Sequence, residues 1–211
     1  MFKCLWQRIA NYAIDPDRFP VRRCPRGSFI FIHINKTGGT SVGRALGLPV
    51  KQHLTARQVI DIVGESNWRR AYRFSVVRNP WDKVVSHYKY RVKTNQTGMA
   101  DRPISFKDWV AATYGPEKRA PYYDNPIMFQ PQVDWLQDAG GRIDLDLIGR
   151  FEDLHCAYRQ VAAHVGARAE LPHLNQTMRE DYRQYYDVST AEMVGAWFRE
   201  DVATFGYQFD N

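Results

Sequence analysis

Apolar positions along this chain alternate between short, continuous runs and helical spacings, the order expected of an α/β protein. The run from about Phe29 to Ile34 predicts a buried strand, and the segment from about Thr40 to Leu46 the first helix. Thr55 and Gln58 have capping-box spacing and start a helix that reaches about Val63. A second strand is predicted at Tyr72–Val77, and Arg78-Asn79-Pro80-Trp81-Asp82 as the turn that leaves it. Pro80 suits the first helical turn, where its missing N–H is not needed, and Asp82 suits the positive helix end. That helix runs on through Val84, Val85, His87, Tyr88 and Arg91.

Ser105 and Asp108 mark another helix, to about Tyr114, and the Pro- and Tyr-rich stretch Gly115 to Pro131 reads as a connecting loop. Asp146 to Gly149 predicts a short buried strand and Asp153 to Val165 a helix. Ser189 and Glu192 mark the start of the last helix, to about Thr204. The resulting expectation is an N-terminal arm over residues 1–27 and a single domain over 28–209. Alternating β and α units predict a parallel sheet flanked by helices, with ligands at the carboxyl ends of the strands. There is no internal repeat and no low-complexity segment.

The junction of the first strand and helix carries the chemistry: Lys36-Thr37-Gly38-Gly39-Thr40-Ser41. Glycines there let backbone approach an anion, the first helical N–H groups point at it, and the Lys36 ammonium reaches it as a point charge. The nucleoside-triphosphate P-loop places its lysine after the glycines, with another glycine five residues ahead. Here the order is reversed and only Gly27 precedes the strand, so the loop suits one phosphate-like group better than a triphosphate. No apolar run ending in aspartate accompanies it to hold magnesium. Arg78 at the end of the second strand and Ser86 two turns into the following helix form a second anion-binding pair.

These two blocks resemble the PAPS-dependent sulfotransferases of the carbohydrate type, which include bacterial members and Golgi glycan sulfotransferases. The resemblance continues through Gln132–Leu136, Ile148–Leu154 and Leu171–Asn175 and ends near Phe205-Gly206-Tyr207. It implies a P-loop-like three-layer fold and 3′-phosphoadenosine 5′-phosphosulfate (PAPS) as donor, with no metal. The 5′-phosphosulfate would lie on Lys36, Thr37, Gly38, Gly39, Thr40 and Ser41, and the 3′-phosphate on Arg78 and Ser86. Asn175 and Thr177 match a late segment that closes over the nucleotide. One departure is Asn35, where a proline commonly precedes the lysine. The implied reaction is in-line sulfuryl transfer to a hydroxyl, on a glycan or glycoconjugate, with Lys36 and His53 as the catalytic pair. Lys36 meets charge on the leaving oxygen. An alcohol ionises too weakly alone at neutral pH, and His53 is the candidate base, lying between the anion sites where the family pattern also has a histidine.

Competing readings stand beside these. His33 and His87 read as buried histidines, and His173 as a secondary candidate base. Trp81, Trp109, Trp135 and Trp197 read as core, and Arg150 with Glu152 as an internal ion-paired junction. Acceptor specificity falls to the loop from about Gly98 to Gln130, where Lys107, Lys118 and Arg119, with the nearby Lys93, suit an acidic glycan or plain surface. A magnesium-dependent small-molecule kinase and a non-catalytic nucleotide-binding module are the rival functions.

Composition adds the remaining bounds. With 211 residues, 44% hydrophobic and 25% charged, the chain has the make-up of an ordinary globular domain. Its net charge of +6 favours anionic ligands, but the cations are dispersed rather than gathered as a nucleic-acid binder would have them. Three cysteines without paired spacing (Cys4, Cys24 and Cys156) indicate neither a disulfide framework nor a zinc site. The start, Met1 to Ala13, has no long apolar run, so no signal peptide or membrane anchor is read there, and a reducing cytoplasm is the expected location.

Overall fold

The computed structural model describes residues 21–48, 53–167, 170–171 and 180–210. The chain divides into two compact units: Met1–Val77 with Asp134–Leu174, and Arg78–Val133 with Asn175–Asn211.

The first unit is built on a four-stranded sheet of order β1-β2-β3-β4: β1 (Val21–Cys24), β2 (Gly27–Ile32), β3 (Tyr72–Val77) and β4 (Leu147–Arg150). β2, β3 and β4 are parallel neighbours, whereas β1 folds back antiparallel onto β2, pairing Val21 with Ile30 and Cys24 with Gly27. The sheet is therefore mixed, with a parallel core and one antiparallel edge. The end of the predicted N-terminal arm supplies that edge strand; at four residues broken by two arginines, it shows no alternation long enough to read.

Side-chain alternation sends Phe29, Phe31, Phe74 and Val76 to one face. There they meet Val42 of α1 (Gly39–Ala45) and Tyr158, Val161 and Val165 of α7 (Leu154–Val165). Gly149 of β4 is required by this packing, because a Cβ there would stand 2.4 Å from the Cβ of Ala157. On the opposite face the Arg73 guanidinium lies 5.6 Å from the ring of Trp68, in α3 (Glu65–Arg70), and is paired with Asp144 and Asp146 at 2.5 and 3.0 Å. Helices thus cover both faces of the sheet.

Several predicted boundaries coincide with the observed ones for local reasons. The Thr55/Gln58 capping box is formed in both directions, at 3.2 and 2.9 Å, and starts α2 (Ala56–Val63). β2 ends at Ile32 rather than Ile34, because the next two carbonyls leave the ladder. That of His33 accepts from His53 and that of Ile34 from the Thr37 hydroxyl.

The second unit packs α4 (Pro80–Lys93), α5 (Phe106–Tyr114), α8 (Val188–Trp197) and α9 (Arg199–Phe205). Their shared core includes Trp81, Val84, Trp109, Phe129, Val194 and Phe198. Ser105 caps α5 as expected. The last helix departs from the sequence reading: Asp187 rather than Ser189 caps it, forming the box with Thr190. A carboxylate is the stronger acceptor for the first free N–H groups. The run to Phe205 is also two helices, broken at the fully buried Phe198. Trp81, Trp109 and Trp135 are buried, in line with the core reading. Arg150 and Glu152 lie at the surface rather than in the interior expected of them. Among the described residues no helix is long and apolar enough to cross a membrane.

Candidate active site

The lysine–glycine loop leaves the carboxyl end of β2, the second strand of the sheet. Its backbone turns sharply: Lys36 has φ 66° and Gly38 φ 81°, both left-handed. For glycine that region is free, but for lysine it costs on the order of 1–2 kcal/mol. Strain of this kind persists only where surrounding structure holds it, and it gathers at ligand-binding turns. Gly38 is the N-cap of α1 and its carbonyl accepts from Ser41 N–H at 3.0 Å. The Ser41 and Val42 N–H groups both turn back to that carbonyl, while those of Gly39 and Thr40 precede the first such bond.

Two buried anchors set the loop. Thr37 is fully buried, and its hydroxyl donates to the Ile34 carbonyl at 3.0 Å, so that side chain braces the turn. Thr37 accordingly offers a ligand its backbone rather than its hydroxyl proton. Gly39 lies directly against the imidazole of His33, where a Cβ would come 2.0 Å from Cδ2 and 2.2 Å from Nε2. This is why glycine is needed at 39, whose φ is not positive; at Gly38 the left-handed φ adds to a close approach, since a Cβ would stand 2.8 Å from Leu154 Cδ2.

His53 belongs to the same unit. Its Nδ1 lies 2.9 Å from the His33 carbonyl oxygen, which can only accept. Nδ1 therefore carries the proton, and in the neutral ring Nε2 holds the lone pair. The two imidazoles stand 4.4 Å apart between centroids, and Trp135 meets His53 edge-on at 6.2 Å. His33 stacks on Phe31 at 5.4 Å. Burial first, and the charge of His53 second, push the His33 pKa down to about 3, so His33 is neutral at physiological pH.

In the second unit, Arg78 directly follows β3 and is 2% exposed. Its guanidinium grips Asp82 through two contacts, 2.8 Å from Nε and 2.7 Å from the second nitrogen. Asp82 and Ser86 are four residues apart on α4 and share one helix face. Asn79 caps this helix and Pro80 occupies its first turn, which fixes where Arg78 leaves the strand. A cavity of about 490 Å³ in the same unit, lined by Trp81, Tyr186, Val188 and Phe209 among others, includes neither Arg78 nor Ser86. Asn175, Thr177 and His173 lie outside the described residues.

A family model described as "Sulfotransferase family" matches residues 20–208. The chain belongs to that family. It is a transferase of sulfuryl groups, as the two sequence blocks implied. The crystal structure of a sulfotransferase from Alicyclobacillus acidocaldarius is similar at 16% identity, covering 99% of this chain and 94% of that one, with a TM-score of 0.39. No curated protein matches, so the assignment to the family rests on the family model.

Within a sulfotransferase these residues divide by chemistry. In the first unit Lys36, the loop N–H groups and the Ser41 hydroxyl can each donate to an anion, and in the second unit so can Arg78 and Ser86. Asp82, the carboxylate beside them, is engaged by Arg78. Sequence reasoning missed three buried polar residues of the second unit: Lys83, Gln132 and Asp201, at 1%, 0% and 0% exposure. Gln132 opens α6 (Gln132–Leu136), a motif that carried the resemblance, which was the available signal. Of the cations proposed for an acidic acceptor, Lys107 pairs with Asp187 at 2.8 Å and Lys118 lies 3.9 Å over the Trp197 ring while donating to the Gly115 carbonyl.

Proposed function

We propose that this sulfotransferase takes its sulfuryl group from PAPS and delivers it to a hydroxyl, in the first instance on a carbohydrate. The observation that carries the donor assignment is the strained Lys36–Gly38 turn opening α1 at the carboxyl end of a parallel strand, since such a turn gathers backbone donors and a cation around one anionic group. Lys36, Thr37, Gly38, Gly39, Thr40 and Ser41 would hold the 5′-phosphosulfate, and Arg78 with Ser86 the 3′-phosphate. Asn175 and Thr177 are assigned to closing over the nucleotide. The carbohydrate acceptor rests on the resemblance of the motif blocks.

When bound, PAPS supplies an activated sulfate whose sulfur–oxygen bond to the 5′-phosphate breaks on transfer. His53 Nε2 would take the acceptor's hydroxyl proton as the acceptor oxygen bonds to sulfur. The His33 carbonyl keeps the ring in that tautomer and steadies the imidazolium that forms. Lys36 and the loop N–H groups meet the negative charge that collects on the departing phosphate oxygen.

Calorimetric binding of 3′,5′-adenosine bisphosphate, against ADP and ATP with and without magnesium, tests the reading. A preference for the 3′-phosphorylated nucleotide that disappears in Arg78→Ala is the expected result. Equal or tighter binding of magnesium-ATP overturns it in favour of a kinase.

A further inference from the structure

Arg78 is held from two sides, and one of them is unrelated to its charge. The Gln132 side-chain amide accepts from Arg78 N–H through Oε1 at 2.9 Å and donates to the Arg78 carbonyl through Nε2 at 2.8 Å. One side chain therefore satisfies both backbone groups of Arg78, as a neighbouring strand would, just past the point where the β3 ladder ends. The assignment of Gln132 oxygen and nitrogen is forced, because an N–H needs an acceptor and a carbonyl needs a donor.

Gln132 is itself fixed by Asp201 of α9. The second hydrogen of its Nε2 goes to Asp201 Oδ2 at 3.0 Å. The backbone N–H groups of Gln132 and Val133 go to the same carboxylate at 2.8 and 2.9 Å. Both residues are fully buried, so no water replaces a lost partner cheaply. Lys83, buried with its ammonium 5.3 Å from the Phe198 ring, adds positive charge near Asp201. Burial raises the Asp201 pKa, while its three N–H donors and Lys83 act in the opposite direction.

We infer that Gln132 and Asp201 are positioning residues for Arg78, and that through them α9 sets how strongly the enzyme selects a 3′-phosphorylated nucleotide. The inference deepens the donor reading above and rests on it. Asp82 holds the guanidinium end of Arg78 while the Gln132–Asp201 pair holds its backbone. Both ends must be fixed for a guanidinium to meet a phosphate with its donors aligned, and misplacement by about 1 Å is enough to cost on the order of 100-fold.

The test measures the dissociation constants of 3′,5′-adenosine bisphosphate and of 5′-AMP, which lacks the 3′-phosphate, by calorimetry. The proteins are wild type, Asp201→Asn and Gln132→Met, each checked by near-ultraviolet circular dichroism. The expected result is a preference for the bisphosphate in wild type that shrinks by about 10- to 100-fold in both variants. Affinity for 5′-AMP should stay within about twofold of wild type in both. A preference that survives in the variants, or affinities that fall equally for the two nucleotides, overturns the inference and leaves the pair a purely structural role. Loss of the folded spectrum in one variant leaves the other to decide, and loss in both likewise assigns the pair to scaffold. Absence of any preference in wild type sinks the donor reading itself, so the two failures are distinguishable.

Discussion

Replacing Gly39 by alanine should strain the loop through His33 and not through the backbone. The new Cβ would stand 2.0 Å from His33 Cδ2, against roughly 3.5–4.0 Å for carbon atoms in contact. The imidazole must therefore retreat by about 1.5 Å. It is confined by Phe31 at 5.4 Å and His53 at 4.4 Å, so retreat also disturbs the His33 carbonyl that holds His53. Overpacking of this kind costs about 1–3 kcal/mol, and the upper half of that range is expected here. His33→Ala removes the obstacle at a cost of its own, roughly 3–5 kcal/mol by comparison with other truncated buried rings. In the double variant the new methyl group enters space the imidazole has left. The two changes should then be non-additive by at least about 1 kcal/mol in the favourable direction. Urea unfolding followed by circular dichroism, on wild type, both single variants and the double, measures that coupling. Additivity within about 0.5 kcal/mol, or a Gly39→Ala cost below about 0.5 kcal/mol, refutes the contact as the reason for glycine at 39.

Three further predictions are independent of that one. His53→Gln should reduce kcat by about 10²- to 10⁴-fold while leaving bisphosphate affinity within about twofold, and an undiminished turnover removes His53 as the base. His33 has a folded pKa of about 3, well below its ordinary 6.5, so the unfolded chain binds more protons between those values. The stability it contributes is complete above pH 6.5 and is lost as pH falls towards 3, at up to about 1.4 kcal/mol per pH unit. His33→Phe should flatten that part of a stability–pH curve, and an unchanged slope contradicts the assignment. Thr55→Ala, which removes the capping box of α2, should cost about 1 kcal/mol in urea unfolding; no measurable change would mean the cap is redundant.

What the sequence determined by itself is what short-range physics determines. Caps are formed by residues two or three apart, and so the starts of α2, α4 and α5 were readable from Thr55, Asn79-Pro80 and Ser105. The lysine–glycine turn was legible for the same reason, being a contiguous run after a buried strand. The choice of His53 came from its place in the chain and from the family pattern. That a carbonyl twenty residues away selects its tautomer is a tertiary fact. So is the clash that makes Gly39 a glycine, since it depends on where the His33 ring lies.

The tertiary structure alone decided the antiparallel edge β1, whose arginine-broken pattern gains meaning only when Ile30 and Phe29 are beside it. It also decided that the last helical run breaks at Phe198, where a buried ring outweighs a continuous helical pattern. Gln132, 54 residues from Arg78, and Asp201, another 69 away, show the same limit. Hydrogen bonds within a turn are encoded by neighbouring letters, and a reader can find them one at a time. A buried amide and carboxylate that complete another residue's backbone look like any other Gln and Asp until folding brings the three together.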